Sequence, residues 1–169
     1  MEKTVEKKRI FTGKLINLNA DRVILDSGRK SVREYVQHPG AVAAIPFISK
    51  DSIILVRQYR YPVSQELLEI PAGTIEKGES PEETMARELK EEIGCETEKL
   101  TNLGWFYSSP GYTDEKIYLF KASELKPYES EKEEGIEVVE IPYKKALRMI
   151  DNGEIRDGKT IIALLSCRF

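Results

Sequence analysis

Three carboxylates, Glu88, Glu91 and Glu92, are spaced so that a helix through Arg87 to Ile93 would present them at neighbouring positions. Unpaired like charges at such spacing cost only about 0.2 to 0.5 kcal/mol per pair on an exposed helix, so a solvated acidic face is one reading. A divalent cation is the other, since magnesium takes oxygen ligands and completes its shell with water and phosphate oxygens. The wider pattern favours the cation. Gly73 is followed by five residues, Glu79, seven more, and then Arg87-Glu88-Leu89-Lys90-Glu91-Glu92-Ile93-Gly94-Cys95. Gly73 would let the backbone turn tightly before the helix, leaving the Ala72 carbonyl to join a metal shell. Arg87 is suited to orienting carboxylates by bidentate hydrogen bonds rather than touching a substrate.

This arrangement resembles the complete Nudix box of the Nudix hydrolase family. Its one departure is Cys95, where the family has an aliphatic residue, and cysteine packs as a small hydrophobe. The resemblance implies that Glu88 and Glu92 are the principal metal ligands and Glu91 a supporting one. It further implies that Mg2+, with Mn2+ as a substitute, bridges a diphosphate and activates water for in-line attack without a protein nucleophile.

Three further stretches resemble the ADP-ribose pyrophosphatase branch, and the likeness runs over nearly the whole chain after Arg33. They are Val56-Arg57-Gln58-Tyr59-Arg60, Leu68-Glu69-Ile70-Pro71-Ala72-Gly73 and Ser108-Ser109-Pro110-Gly111, the proline lying about fifteen residues beyond the box. The branch implies substrate contacts from Arg57, Arg60, Glu69, Pro110 and Gly111, with Arg60 on the diphosphate and Arg33 reaching across a dimer interface. It also implies a homodimer with swapped N-terminal strands. The plainer readings are surface salt bridges for the arginines and an ordinary Pro-Gly turn.

A general base need only stand near the attacking water. The family places it on a loop between late strands, where Glu131-Lys132-Glu133-Glu134 falls. Glu134, directly before Gly135 and the next strand, is favoured, with Glu133 and Glu131 in reserve, against the reading of a solvated charged loop. His38, the one histidine, precedes Pro39 and reads as structural rather than as part of a Ser-His-Asp or Cys-His set. Tyr112 could stack on an adenine, although aromatic residues beside turns more often pack on a core.

The elements that must hold these residues follow from the hydrophobic pattern. The 169 residues suit one domain with an appendage: a β-meander over residues 1–38 and a main domain over 39–169. The meander is read from short runs such as Arg9 to Phe11, Lys14 to Leu18, Arg22 to Leu25 and Ser31 to Val36, with Asn19-Ala20-Asp21 as a turn. Strands are expected at Ala41 to Phe47, Ile53 to Arg57, Leu67 to Ile70, Leu100 to Tyr107, Lys116 to Ala122 and Ile136 to Ile141. A helix over Pro81 to Ile93 has Ser80 as cap, Glu83 in a capping box and Gly94 as its stop. Two more helices are expected at Tyr143 to Asn152 and Gly158 to Cys167. The fold class is thus α/β, a Nudix α/β/α sandwich with a mixed sheet, preceded by a small antiparallel sheet.

Composition sets the outer limits. Hydrophobic residues make up 40% and charged ones 33%, with a net charge of -3, which calls for neither nucleic acid nor a membrane as partner. No apolar run approaches the roughly 18 residues needed to span a bilayer, and MEKTVEKKRIFTG has no signal-like core, so a cytoplasmic location is expected. Cys95 and Cys167 supply no disulfide framework and read as small buried apolar residues. The expected reaction is hydrolysis of the diphosphate of ADP-ribose to AMP and ribose 5-phosphate. Alternatives are another nucleoside diphosphate sugar, such as ADP-glucose or GDP-mannose, and a non-catalytic Nudix nucleotide-binding regulator.

Overall fold

The computed structural model describes residues 1–129 and 133–168. They form two compact units, Met1–Gly40 with Tyr107–Lys116, and Ala41–Phe106 with Ile117–Phe169.

The smaller unit is built on the strand β3 (Asn17–Ile24), which pairs along its whole length with β4 (Lys30–Gln37). Its other edge is shared, end to end, by β1 (Lys3–Glu6) against Arg22 to Ile24 and β2 (Arg9–Thr12) against Asn17 to Asn19. The sheet therefore has four strands, and Asn19-Ala20-Asp21 is strand interior rather than the expected turn. The reason is the break between β1 and β2. There Asp21 Oδ1 accepts the Lys8 N–H at 3.0 Å, the Ala20 N–H donates to Lys8 O at 2.9 Å, and Asn19 Oδ1 accepts Arg9 Nε at 2.8 Å. Polar side chains are buried here because they satisfy backbone and side-chain groups that a continuous ladder would have paired. Residues 107–116 attach to the end of β4, where the Val36 N–H donates to Tyr112 O and the Asp114 N–H to Val36 O.

The larger unit contains two sheets. A mixed one has the order β8 (Ala72–Thr74), β5 (Ala41–Pro46), β10 (Lys116–Pro127), β9 (Cys95–Tyr107), with β10 parallel to β5. An antiparallel one has the order β11 (Ile136–Pro142), β6 (Ser52–Arg60), β7 (Gln65–Glu69). Strand side chains alternate between faces, and here both faces are apolar. Val42 and Ala44 of β5, Ile54 and Val56 of β6, and Phe120 of β10 pack with Met85, Leu89 and Ile93 of the helix α1 (Pro81–Ile93). Their neighbours Ala43, Ile45, Ile53, Leu55 and Leu119 instead meet α2 (Tyr143–Asp151) and α3 (Gly158–Ser166) through Ala146, Met149, Ala163 and Leu164. Two cores on opposite sides of the strands make an α/β/α sandwich. Among the described residues, no helix is long and apolar enough to cross a membrane.

Helix α1 carries the acids, and its ends match the expected signals. Ser80 Oγ accepts the Glu83 N–H at 3.3 Å while Glu83 Oε2 accepts the Ser80 N–H at 2.8 Å, and Gly94 closes the helix at φ 63. Ser80→Ala will lower stability by about 1 kcal/mol through loss of the cap. In a chain of this size that is a fall of roughly 2–4 °C in Tm, with activity retained; an unchanged Tm in calorimetry would show that the cap contributes nothing.

Candidate active site

The site forms where β8 lies beside α1. Pairing of Ala43 with Ala72 and Val42 with Gly73 fixes β8 on the sheet edge. From there the Ala72 N–H donates to Glu92 Oε2 at 2.9 Å. A Cβ on Gly73 would overlap the Glu88 carboxylate, so glycine is required for this close approach. Gly73 lies in a strand, not in the tight turn expected from the sequence. Glu88 and Glu92 are buried, at 7% and 4% exposure, although both are carboxylates.

Arg87 holds the acids apart and in place. Its Nη1 donates to Glu88 Oε1 at 2.7 Å and Glu91 Oε2 at 2.9 Å, and its Nε and Nη2 donate to the two oxygens of Glu79 at 3.1 and 3.2 Å. Hydrogen bonds from Arg87 and from Thr84 hold the Glu79 carboxyl down to about 2, and the bonds to Glu79, Glu88 and Glu91 raise the Arg87 guanidinium against the opposing effect of burial. Burial pushes Glu88 up, with Arg87 opposing. Glu92 is pushed up to about 8, mainly by burial; the Ala72 N–H opposes this, while the charges of Glu88 and Glu133 add to it.

A buried carboxylate this costly to ionise calls for positive charge. The pocket in front of it, about 440 Å³, is lined by Glu88, Glu91, Glu92 and Glu133, faced by Gln58 and Arg60. Hard oxygen donors with surplus negative charge fit a divalent cation. Among the described residues no three such side chains close into a ready-made cage.

The remaining residues singled out by sequence fall in several places. Arg60 donates from Nε and Nη2 to the two oxygens of Glu69, each at 2.7 Å. Burial works against the charged form of Glu69, but Arg60 and Lys159 together hold its carboxyl below the ordinary range. Arg57 stands three residues from Arg60 on β6 and therefore on its other face. It pairs with Glu137 of β11 at 3.1 Å, in register, and is not among the pocket residues. Glu133 lines the pocket, and its N–H donates to Glu91 O at 3.2 Å. Glu134 is exposed in the turn with Gly135 and does not line it; Glu131 lies outside the described residues.

Arg33, Pro110 and Gly111 belong to the smaller unit. Arg33 Nε donates to Glu2 at 2.8 Å, and Pro110-Gly111 sit in a turn closed by the Tyr112 N–H on Ser109 O at 3.1 Å. Tyr112 is exposed rather than packed on a core. His38 makes structural contacts, its N–H donating to Asp114 and its Nδ1 accepting the Gly40 N–H. Cys95 and Cys167 are half-buried against the α1 core and the α2/α3 core.

Sequence reasoning missed Gln58, Thr74 and Lys159. Gln58 carried a usable signal: two residues before Arg60, it had to share its face. Its Oε1 is buried and has no hydrogen-bond partner among the described residues.

Buried acids on a helix, gathered at a glycine-bearing sheet edge in an α/β/α sandwich, are the mark of one class, and the chain belongs to the Nudix hydrolase family. The NUDIX domain profile matches residues 37–164. The chain is 44% identical over 167 residues to an ADP-ribose pyrophosphatase of Bacillus subtilis (strain 168), covering 96% of this chain and 90% of that one. It is 42% identical over 167 residues to a methanol dehydrogenase activator of Bacillus methanolicus, with the same shares of 96% and 90%. A solved structure described as an ADP compounds hydrolase matches with a TM-score of 0.87 at 25% identity, covering 99% of this chain and 92% of that one. Hydrolases of this family generally use divalent metal ions.

Proposed function

We propose that the protein hydrolyses the diphosphate of ADP-ribose, with Mg2+ and with Mn2+ as a substitute, to AMP and ribose 5-phosphate. The observation that carries this is one pocket in which buried acids, Glu88 and Glu92, face the guanidinium of Arg60. The likeness to an ADP-ribose pyrophosphatase supports the substrate.

Glu88 and Glu92, helped by Glu91 and the Ala72 carbonyl, would hold the ion, which when bound neutralises diphosphate charge and lowers the pKa of water. Arg60 binds the diphosphate and Glu69 orients Arg60. Arg87 keeps the acids aligned through the contacts described. Glu133, rather than Glu134, is the proposed base, because among the described residues it is the loop acid that lines the pocket. It takes the proton of the attacking water as the new O–P bond forms in line with the bridging P–O bond that breaks. Arg57 carries no part of this reading.

Residues 1–38 are proposed as a dimerisation subdomain and 39–169 as the catalytic domain of a cytoplasmic homodimer with swapped N-terminal strands. Exposed Val5, Ile10, Phe11 and Val32 on the small sheet support a partner surface there. Arg33, Pro110 and Gly111 would then complete the substrate site. A second reading, a nucleotide-binding regulator, draws support from the relative named as a methanol dehydrogenase activator.

Release of AMP and ribose 5-phosphate, run beside ADP-glucose, GDP-mannose and a nucleoside triphosphate, tests the proposal. Preference for ADP-ribose, lost on chelation, is expected; turnover of the others alone would refute the substrate, and no turnover would favour the regulator. Glu133→Gln will lower kcat by about 10²- to 10⁴-fold, the usual contribution of a general base, whereas Glu134→Gln will leave it nearly unchanged. The reverse ranking would move the base to Glu134.

A further inference from the structure

We infer that Lys159 is a positioning residue for the diphosphate site, acting through Glu69 on the charge and direction that Arg60 presents to the pocket. This rests on the reading of Arg60 as the diphosphate ligand. Lys159 lies in the first turn of α3, 90 residues from Glu69. Its ammonium donates to Glu69 Oε2, the oxygen that also accepts Arg60 Nη2, and to Asp157 Oδ1 at 3.0 Å.

Asp157 is in turn the cap of α3, its Oδ2 accepting the Thr160 N–H at 2.9 Å. Thr160 Oγ1 accepts the N–H of Ile70, the residue after Glu69, at 2.8 Å. The first turn of α3 thus grips the end of β7 twice: through the charge of Glu69 and through the adjacent backbone. Both grips lie just before Ala72 and Gly73, where the acid site begins.

Charge shows why the contact matters for binding. Glu69 and Asp157 are balanced by Arg60 and Lys159. Without Lys159 the group carries one surplus negative charge, and among the described residues Arg60 is left as the only cation on a carboxylate with 1% exposure. Its positive potential is then spent inside the pair rather than on an anionic ligand. Among the described residues, its bonds to Glu69 use Nε and Nη2, leaving the Nη1 edge for the pocket. A substrate diphosphate should feel the loss of Lys159 mainly as weaker binding.

The test is a double-mutant cycle in steady-state kinetics, using ADP-ribose or whichever nucleoside diphosphate sugar turns over fastest. Lys159→Met is expected to raise KM by about 5- to 20-fold with kcat within about threefold, and Arg60→Ala to raise KM at least as much. In the Arg60→Ala background Lys159→Met should add no more than about twofold, because its route to the substrate is gone. Lys159→Arg should recover part of the KM. A KM effect of Lys159→Met that persists undiminished without Arg60, or no KM effect in the wild-type background, overturns the inference. If Arg60→Ala itself leaves KM unchanged, it is the diphosphate role of Arg60 that fails. Lys159→Gln removes the charge and keeps a donor, and carries the same cycle if the methionine variant does not fold.

Discussion

Glutamine at position 92 will lower kcat/KM by at least about 10³-fold, or roughly 4 kcal/mol, since it removes a charged ligand from the metal site. The same change will make the metal-free protein more stable at alkaline pH. In the folded chain burial pushes Glu92 up to about 8, against the ordinary carboxylate value of 4.5. Between those values the folded state binds more protons than the unfolded one, so stability falls as pH rises. The contribution is fully present below the unfolded value and is lost as pH rises through about 8. Calorimetry in chelator should show the wild-type Tm falling by several degrees between about pH 5 and pH 9, at roughly 2–4 °C per kcal/mol. Glu92→Gln removes this group's share of the slope, and Mg2+ at alkaline pH should raise Tm far more in the wild type. Parallel curves for the two proteins in chelator would show that Glu92 does not carry the strain assigned to it.

Gly73→Ala should impair both stability and activity. The added methyl would occupy the space of the Glu88 carboxylate, so either Glu88 turns away or β8 shifts on the sheet edge. Overpacking of this kind costs typically about 1–3 kcal/mol in stability. Displacing Glu88 also takes one buried acid out of the site. We expect kcat/KM to fall by about 10²-fold or more, a few kcal/mol of lost transition-state stabilisation, with a raised Mg2+ requirement. Activity measured across a magnesium titration, together with Mn2+ binding by electron paramagnetic resonance, separates metal affinity from catalysis. A wild-type magnesium profile in Gly73→Ala would refute the close-approach argument.

The parts legible in sequence were those set by local rules. Ser80, Pro81, Glu83 and Gly94 delimit α1 because caps act within one turn. The apolar runs of β5 and β6 were readable as strands because residues buried on both faces leave no polar alternation. What sequence did not give depended on contacts far along the chain. Asn19 and Asp21 have turn-like chemistry, and only the break opposite them turns that chemistry to the service of a strand. Lys159 was unreadable because its partner is Glu69 on another element. Arg57 and Arg60 are different: alternation along β6 already places them on opposite faces, and Arg60 is the one beside the pocket. Glu133 and Glu134 could not be separated beforehand, since the turn at Gly135 decides which of two adjacent acids meets the pocket.

The alternation of β6 also limits how the gene can change length. Ile54 and Val56 serve the α1 core, and the same face continues into Gln58 and Arg60 at the pocket. Deleting a single codon between Val56 and Gln58 would turn both pocket residues to the side now held by Arg57 and Tyr59, while the preceding core stayed intact. A two-codon deletion would instead keep the faces and shorten the reach. Loss of whole pairs is therefore the tolerable path for this strand, and single-codon indels should be depleted among functional variants even where folding survives.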